Sequence, residues 1–220
     1  MQQRGLRMRI EEYFKQTCNI KSASALRELC AATELRSCPK GTVLQQSGEI
    51  PTEIYLEVSG VLRSFSVDIE GQEHTEGFGG RYILSLLVAH GIQRPSPLTI
   101  ETLTPAEVLC IQIAPLRRLL NRSQEVLWGF HTLLIDALRT HIGLKNALYH
   151  CTAAQRCLWF REQFPGYEDK VNHSYIASFL NMTPETLSRA RGAVKRGEVE
   201  PLPVFPLQQA PPAPEQSPAT

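Results

Sequence analysis

The 220-residue chain has almost no net charge: 23 Lys and Arg stand against 22 Asp and Glu, a formal +1. A general nucleic-acid coat is strongly basic, so any nucleic-acid binding here must come from a local patch. Apolar runs such as residues 82–89 fall well short of the ~18–20 residues that a membrane span needs. The N-terminus, MQQRGLRMRIEEYF, turns acidic and amphipathic where a signal peptide would need an apolar stretch. These absences imply a soluble, cytoplasmic protein with no membrane partner. The six cysteines, at 18, 30, 38, 110, 151 and 157, form no C-x-x-C pair and match no zinc or iron–sulfur spacing. Reduced, structural thiols are therefore expected, and no metal site. No nucleophile–base–acid set and no phosphate loop appears either, which argues against an enzyme.

What is present is enough apolar material, 42%, to bury a core, in a length suited to one large or two small domains. Leu6, Ile10, Tyr13 and Phe14 recur at helical spacing, and a second short helix is expected at 22–32, capped by Ser22 or Ser24. Between Arg36 and Ile113 the texture changes to short runs broken by Gly and Pro. Strands are expected at 42–44, 54–58, 61–67, 98–103 and 108–113, with 68–71 as a hairpin loop. Short strands at this spacing suggest an antiparallel sandwich or barrel.

A long helix follows at 123–150, with Ser123 as N-cap and Glu125 in its first turn. Its apolar face spans about seven turns. Either it packs wholly on its own barrel, or it pairs with a second copy; Phe130, Leu134, Ala137, Leu138 and His141 are the candidate dimer contacts. A further helix at 153–164 stops at Pro165-Gly166. Seven of the 15 prolines lie beyond Gly197, so residues 199–220 read as an unfolded tail.

The stretch VNHSYIASFLNMTPETLSRARGAVKRG carries the function. A helix at 174–180, the turn Asn181-Met182-Thr183 and a helix at 184–195 have the layout of a helix-turn-helix, whose second helix enters the major groove. Thr183 is placed to cap that helix, Pro184 takes its first position, and Glu185 adds a negative charge there. Glu185 and Arg189, four residues apart, share one face: Arg donates two parallel bonds to guanine, and Glu accepts from cytosine. Thr183, Thr186 and Ser188 offer hydroxyls to phosphate, and Arg191, Lys195 and Arg196 add countercharge. Residues 153–197 hold seven basic against four acidic side chains, which leans the right way. The competing reading of the segment is an ordinary helical hairpin with a surface salt pair.

The order of strand-rich half, long helix and this motif resembles the Crp/Fnr family of bacterial regulators. The likeness rests on KGTVLQQSGEIPTEIYLEVSGVLRSF with DIEGQEHTEGF, where Gly41, Gly48, Gly60 and Gly71 match turn glycines, and on YIASFLNMTPETLSRAR. It implies an α+β fold: N-terminal helices and a cyclic-nucleotide-binding-like antiparallel β-barrel (jelly roll) over 1–121, a dimerisation helix over 122–150, and a helix-turn-helix domain over 151–198. By the same likeness the protein is a homodimeric transcription regulator that binds a near-palindromic double-stranded DNA site and addresses RNA polymerase. The alternative is a cyclic-nucleotide-like ligand-binding or interaction module without specific DNA binding. The family's nucleotide-binding glutamate falls at Leu84 or Ser85, and its arginine near Ser96, with Arg94 two residues away. Arg94 and Ser96 are thus weak ligand candidates, and control by cyclic AMP is not expected. Cys18, Cys30 and Cys38 are too widely spaced for the iron–sulfur cluster of Fnr. His90, His131 and His141 are not expected to hold haem, so no cofactor is assigned. Little chain remains after the recognition helix, so the trailing wing is short or absent.

Overall fold

A computed structural model describes residues 2–79 and 94–203. Two helices open the chain, α1 (Gln2–Cys18) and α2 (Ala23–Ala31). Among the described residues seven strands follow: β1 (Thr33–Cys38), β2 (Val43–Gln45), β3 (Glu53–Ser59), β4 (Leu62–Val67), β5 (Glu73–Phe78), β6 (Thr99–Thr102) and β7 (Ala106–Gln112). Five helices complete it: α3 (Ile113–Arg122), α4 (Gln124–His150), α5 (Ala153–Gln163), α6 (His173–Phe179) and α7 (Pro184–Lys195).

The strands form two antiparallel sheets, ordered β1-β7-β3 and β2-β6-β4-β5. The expected barrel is thus a two-sheet, jelly-roll-like sandwich. Alternation along β3 and β7 explains why both strands are apolar on successive residues. Ile54, Leu56, Leu109 and Ile111 face a helical layer built on Phe14, Leu29, Leu116 and Phe130. Their neighbours Tyr55, Val108 and Cys110 fill the space between the sheets with Leu62. The turn between β3 and β4 requires Gly60: its φ is +93°, and a Cβ there would lie 2.6 Å from that of Ala106.

Helix α4 starts where the sequence places it, with the Ser123 hydroxyl accepting from Val126 N. Its first turn is tied to the α1–α2 bend, because the Glu125 carboxylate accepts the backbone N–H groups of Lys21 and Ser22. Gly129 lets α1 approach closely, since a Cβ there would meet Cys18 O at 2.5 Å. A third core joins α5, α6 and α7 around Trp159, Phe160, Phe179 and Leu187, and it also takes in Val61, Phe78 and Leu103 from the sandwich. No helix among the described residues is long and apolar enough to cross a membrane.

Candidate nucleic-acid interface

The helix-turn-helix is built from three local devices. Asn172 caps α6, its side chain accepting from Ser174 N. Asn181 then takes a left-handed conformation, φ 48°, which asparagine tolerates better than most residues and which turns the chain sharply. Arg156 holds that turn from α5, donating from Nη1 to the carbonyls of Leu180 (2.8 Å) and Asn181 (3.2 Å). Finally Thr183 caps α7, accepting from Thr186 N at 3.2 Å, with Pro184 at the first position.

Leu187 and Ala190 are buried beneath α7, while Glu185, Ser188, Arg189 and Lys195 are exposed. Thr183 and Pro184 are exposed as well, and Thr186 is half-buried. Hydrogen bonds from its own backbone N–H and from Thr183, then the nearby Arg189 charge, hold the Glu185 carboxyl below its usual range. It is therefore a charged acceptor at neutral pH. Arg189 and Lys195 form no ion pair among the described residues, which leaves both cations available to a ligand.

Two basic residues of this segment are engaged elsewhere. Arg191, expected to meet phosphate, is instead turned inward: Nη1 lies 2.6 Å from His173 Nε2, and Nε lies 3.7 Å from Glu168. Arg196 is bound by Glu198. Beyond α7 no strand forms in 198–203. The chain turns back instead, with Leu202 against the helical core and the Pro201 carbonyl accepting from Gln155.

On α4, Phe130 is corrected as a dimer contact: it is fully buried in its own chain, 6.4 Å from the Phe14 ring. Leu134 and Ala137 are half-buried, Leu134 against the same core, while Leu138 and His141 are exposed. The uncovered apolar residues are Trp128, Ile135, Leu138 and Tyr149, with Ile142 half-covered between them. Their spacing of seven, three, four and seven residues is that of a coiled-coil seam.

The weak ligand candidates do not converge. Arg94 is exposed. Ser96 is committed to its own loop, its hydroxyl donating to Leu98 O and its backbone pairing with Gly48 and Glu49. Leu84, Ser85 and His90 lie outside the described residues. A cleft of about 480 Å³ opens between α1, β3, α4 and the end of α5, lined by Tyr13, Thr17, Glu57, Asp136 and Thr140 among others. Its described lining holds two carboxylates and no cation. No cluster of three or more metal-ligating side chains occurs among the described residues, and His131 sits against Trp128.

Residues 35–123 match the cyclic nucleotide-binding domain family. The chain has the fold of the Crp/Fnr regulators. FixK2 from Bradyrhizobium japonicum superposes with a TM-score of 0.62 at 18% identity, over 75% of this chain and 86% of its own. A chain from Eubacterium rectale assigned to the crp/fnr family of transcriptional regulators gives 0.65 at 20%, over 87% and 91%. CLP from Xanthomonas campestris, a c-di-GMP-responsive global regulator, gives 0.63 at 14%, over 80% and 93%. No curated protein matches by sequence. The helical unit α5–α7 follows the long helix directly, with two residues, Cys151 and Thr152, between α4 and α5.

Sequence reasoning missed Arg156, which supports the turn from 24 residues upstream, and Ser178 and Tyr175, which contact the sandwich. Contacts at such separation leave no local pattern in the sequence.

Proposed function

We propose that the protein is a sequence-specific DNA-binding transcription regulator of the Crp/Fnr type, acting as a homodimer in the cytoplasm on a near-palindromic site. The observation that carries this reading is the exposed face of α7, where a charged Glu185 and an exposed Arg189 stand one turn apart beside a capped helix N-terminus. Glu185 and Arg189 read base edges; Thr183, Thr186, Ser188 and Lys195 serve the phosphates. Two copies meet along α4 through Trp128, Ile135, Leu138, Ile142 and Tyr149, flanked by Leu134 and His141. Cyclic AMP is not the controlling ligand, a reading supported by the commitment of Ser96 to its own loop.

The test is fluorescence anisotropy of the purified protein on duplex DNA from upstream of its own coding sequence and on a scrambled duplex, at two salt concentrations. Selective binding that falls steeply with salt is expected. Equal, weak binding to both duplexes by a folded dimer, with or without cyclic AMP, would remove the proposal.

A further inference from the structure

Among the described residues the sandwich and the α5–α7 unit are joined at several points besides the chain itself. The Arg63 side chain on β4 is 1% exposed and lies between two rings, 4.3 Å from Phe65 and 3.8 Å from Tyr175 of α6. Its charge is balanced on the sandwich side by Glu73 (2.7 Å) and Glu101 (2.9 Å), and its Nε donates to Thr75. The backbone N–H of the same Thr75 donates to the Ser178 hydroxyl at 2.9 Å. Strand β5 is an edge strand, so a helix-turn-helix side chain completes its hydrogen bonding. Phe78, at the end of β5, is fully buried among Phe160, Phe164, Tyr167 and Phe179, with ring centroids 5.2–6.3 Å away. Tyr167 also donates to Glu57 at 3.0 Å.

These contacts come from three strands and meet three parts of the helical unit. Each anchor restrains rotation of the helical unit about the short α4–α5 link, so removing two of them widens the range of orientations it can take. Together the anchors fix α6, and through the braced turn also α7, relative to the sandwich. The sandwich is itself packed on α4. In a two-fold dimer the reading helices must match half-sites about 34–36 Å apart, or multiples of that. The geometry points to Arg63, Thr75 and Phe78 as positioning residues: the sandwich, together with the dimer helix, sets the half-site spacing the protein accepts. This rests on the DNA-binding function proposed above.

The experiment selects a near-palindromic duplex with the full-length wild-type protein from a random pool, then moves the half-sites apart or together by one and two base pairs. Wild type should lose about tenfold or more in affinity for each one-pair shift. In the double variant Tyr175→Leu/Ser178→Ala that penalty should shrink to about threefold or less, while the base preference within one half-site stays the same. Neither side chain is fully buried, so the fold should survive, and faster exchange of the Thr75 amide would report the opened contact. Tyr175→Phe, which keeps the ring over Arg63, should retain the wild-type penalty. A double variant as selective for spacing as wild type, or a Tyr175→Phe as relaxed as the double variant, overturns the inference. If wild type selects no duplex at all, the DNA-binding proposal itself fails, and this one with it.

Discussion

Arg196 and Glu198 hold each other in a two-pronged pair, Nε to Oε1 and Nη2 to Oε2, both at 2.8 Å. Each raises the other's preference for its charged form. The pair is exposed and worth little to stability. It neutralises the cation at the C-cap of α7, where, in the function proposed above, a phosphate would compete for it.

Glu198→Gln should therefore strengthen duplex binding, by about threefold at low salt, and steepen the salt dependence by about one phosphate contact. Anisotropy titrations at several salt concentrations measure both. An unchanged slope would place Arg196 outside the phosphate track.

Arg189→Ala and Arg191→Ala should behave differently. Losing Arg189 should cost about 1–3 kcal/mol on the selected site and relax preference at one base pair per half-site. Losing Arg191 removes one of the two cations, with Arg161, that face the half-buried Glu168, so its main effect should be a lower melting temperature. Uniform loss across all sequences with Arg189→Ala would take away its reading role.

Ile135→Glu/Leu138→Glu should give folded monomers by light scattering, because both residues are exposed in the single chain. Phe130→Ala should instead destabilise the chain by about 3–5 kcal/mol, the cost of emptying a buried aromatic site. A persistent dimer in the double Glu variant would move the interface elsewhere.

Thr183→Ala should lower stability by about 1 kcal/mol through loss of the α7 cap, with Thr183→Ser close to wild type. Denaturant melts distinguish the two substitutions.

Burial pushes the thiols of Cys18, Cys110 and Cys157 up to about 12 from an ordinary 9.0. Between those values the folded chain keeps protons that the unfolded chain releases. The stability these thiols lend is thus complete below about pH 9 and lost as pH rises toward 12. Melting temperature should be flat near neutrality and fall in that alkaline window, less so in Cys157→Ala. Alkylating reagents should leave these three thiols untouched at about pH 8 in the native state.

The helices were readable because their signals are local: Ser22, Ser123 and Thr183 cap the helices they precede. Strands β1 and β5 were not read. In TELRSC and EHTEGF the inward positions include Thr33, Thr75 and Gly77, too polar or too small to show an apolar alternation. Helix α4 is apolar on more than one side, so helical periodicity alone assigned Phe130 to a partner that its own core already supplies. The seam at Trp128, Ile135, Ile142 and Tyr149 was present as a seven-residue repeat, yet only exposure separates it from the core stripe. Arg191 faces inward because Glu168 reaches it from the loop before α6, which no pattern within α7 reveals.

The covering of β5 by α6 also bears on how the chain can be divided. A fragment ending after α4 would bare the edge of β5, the Phe78 ring and the Arg63 guanidinium with one of its two aromatic neighbours gone. Such an edge invites pairing with another strand. The helical fragment, in turn, would lose the ring at the centre of its aromatic cluster. Each half is finished by the other, so the two units that the sequence marks out are separable on paper but should fold and remain dispersed only together.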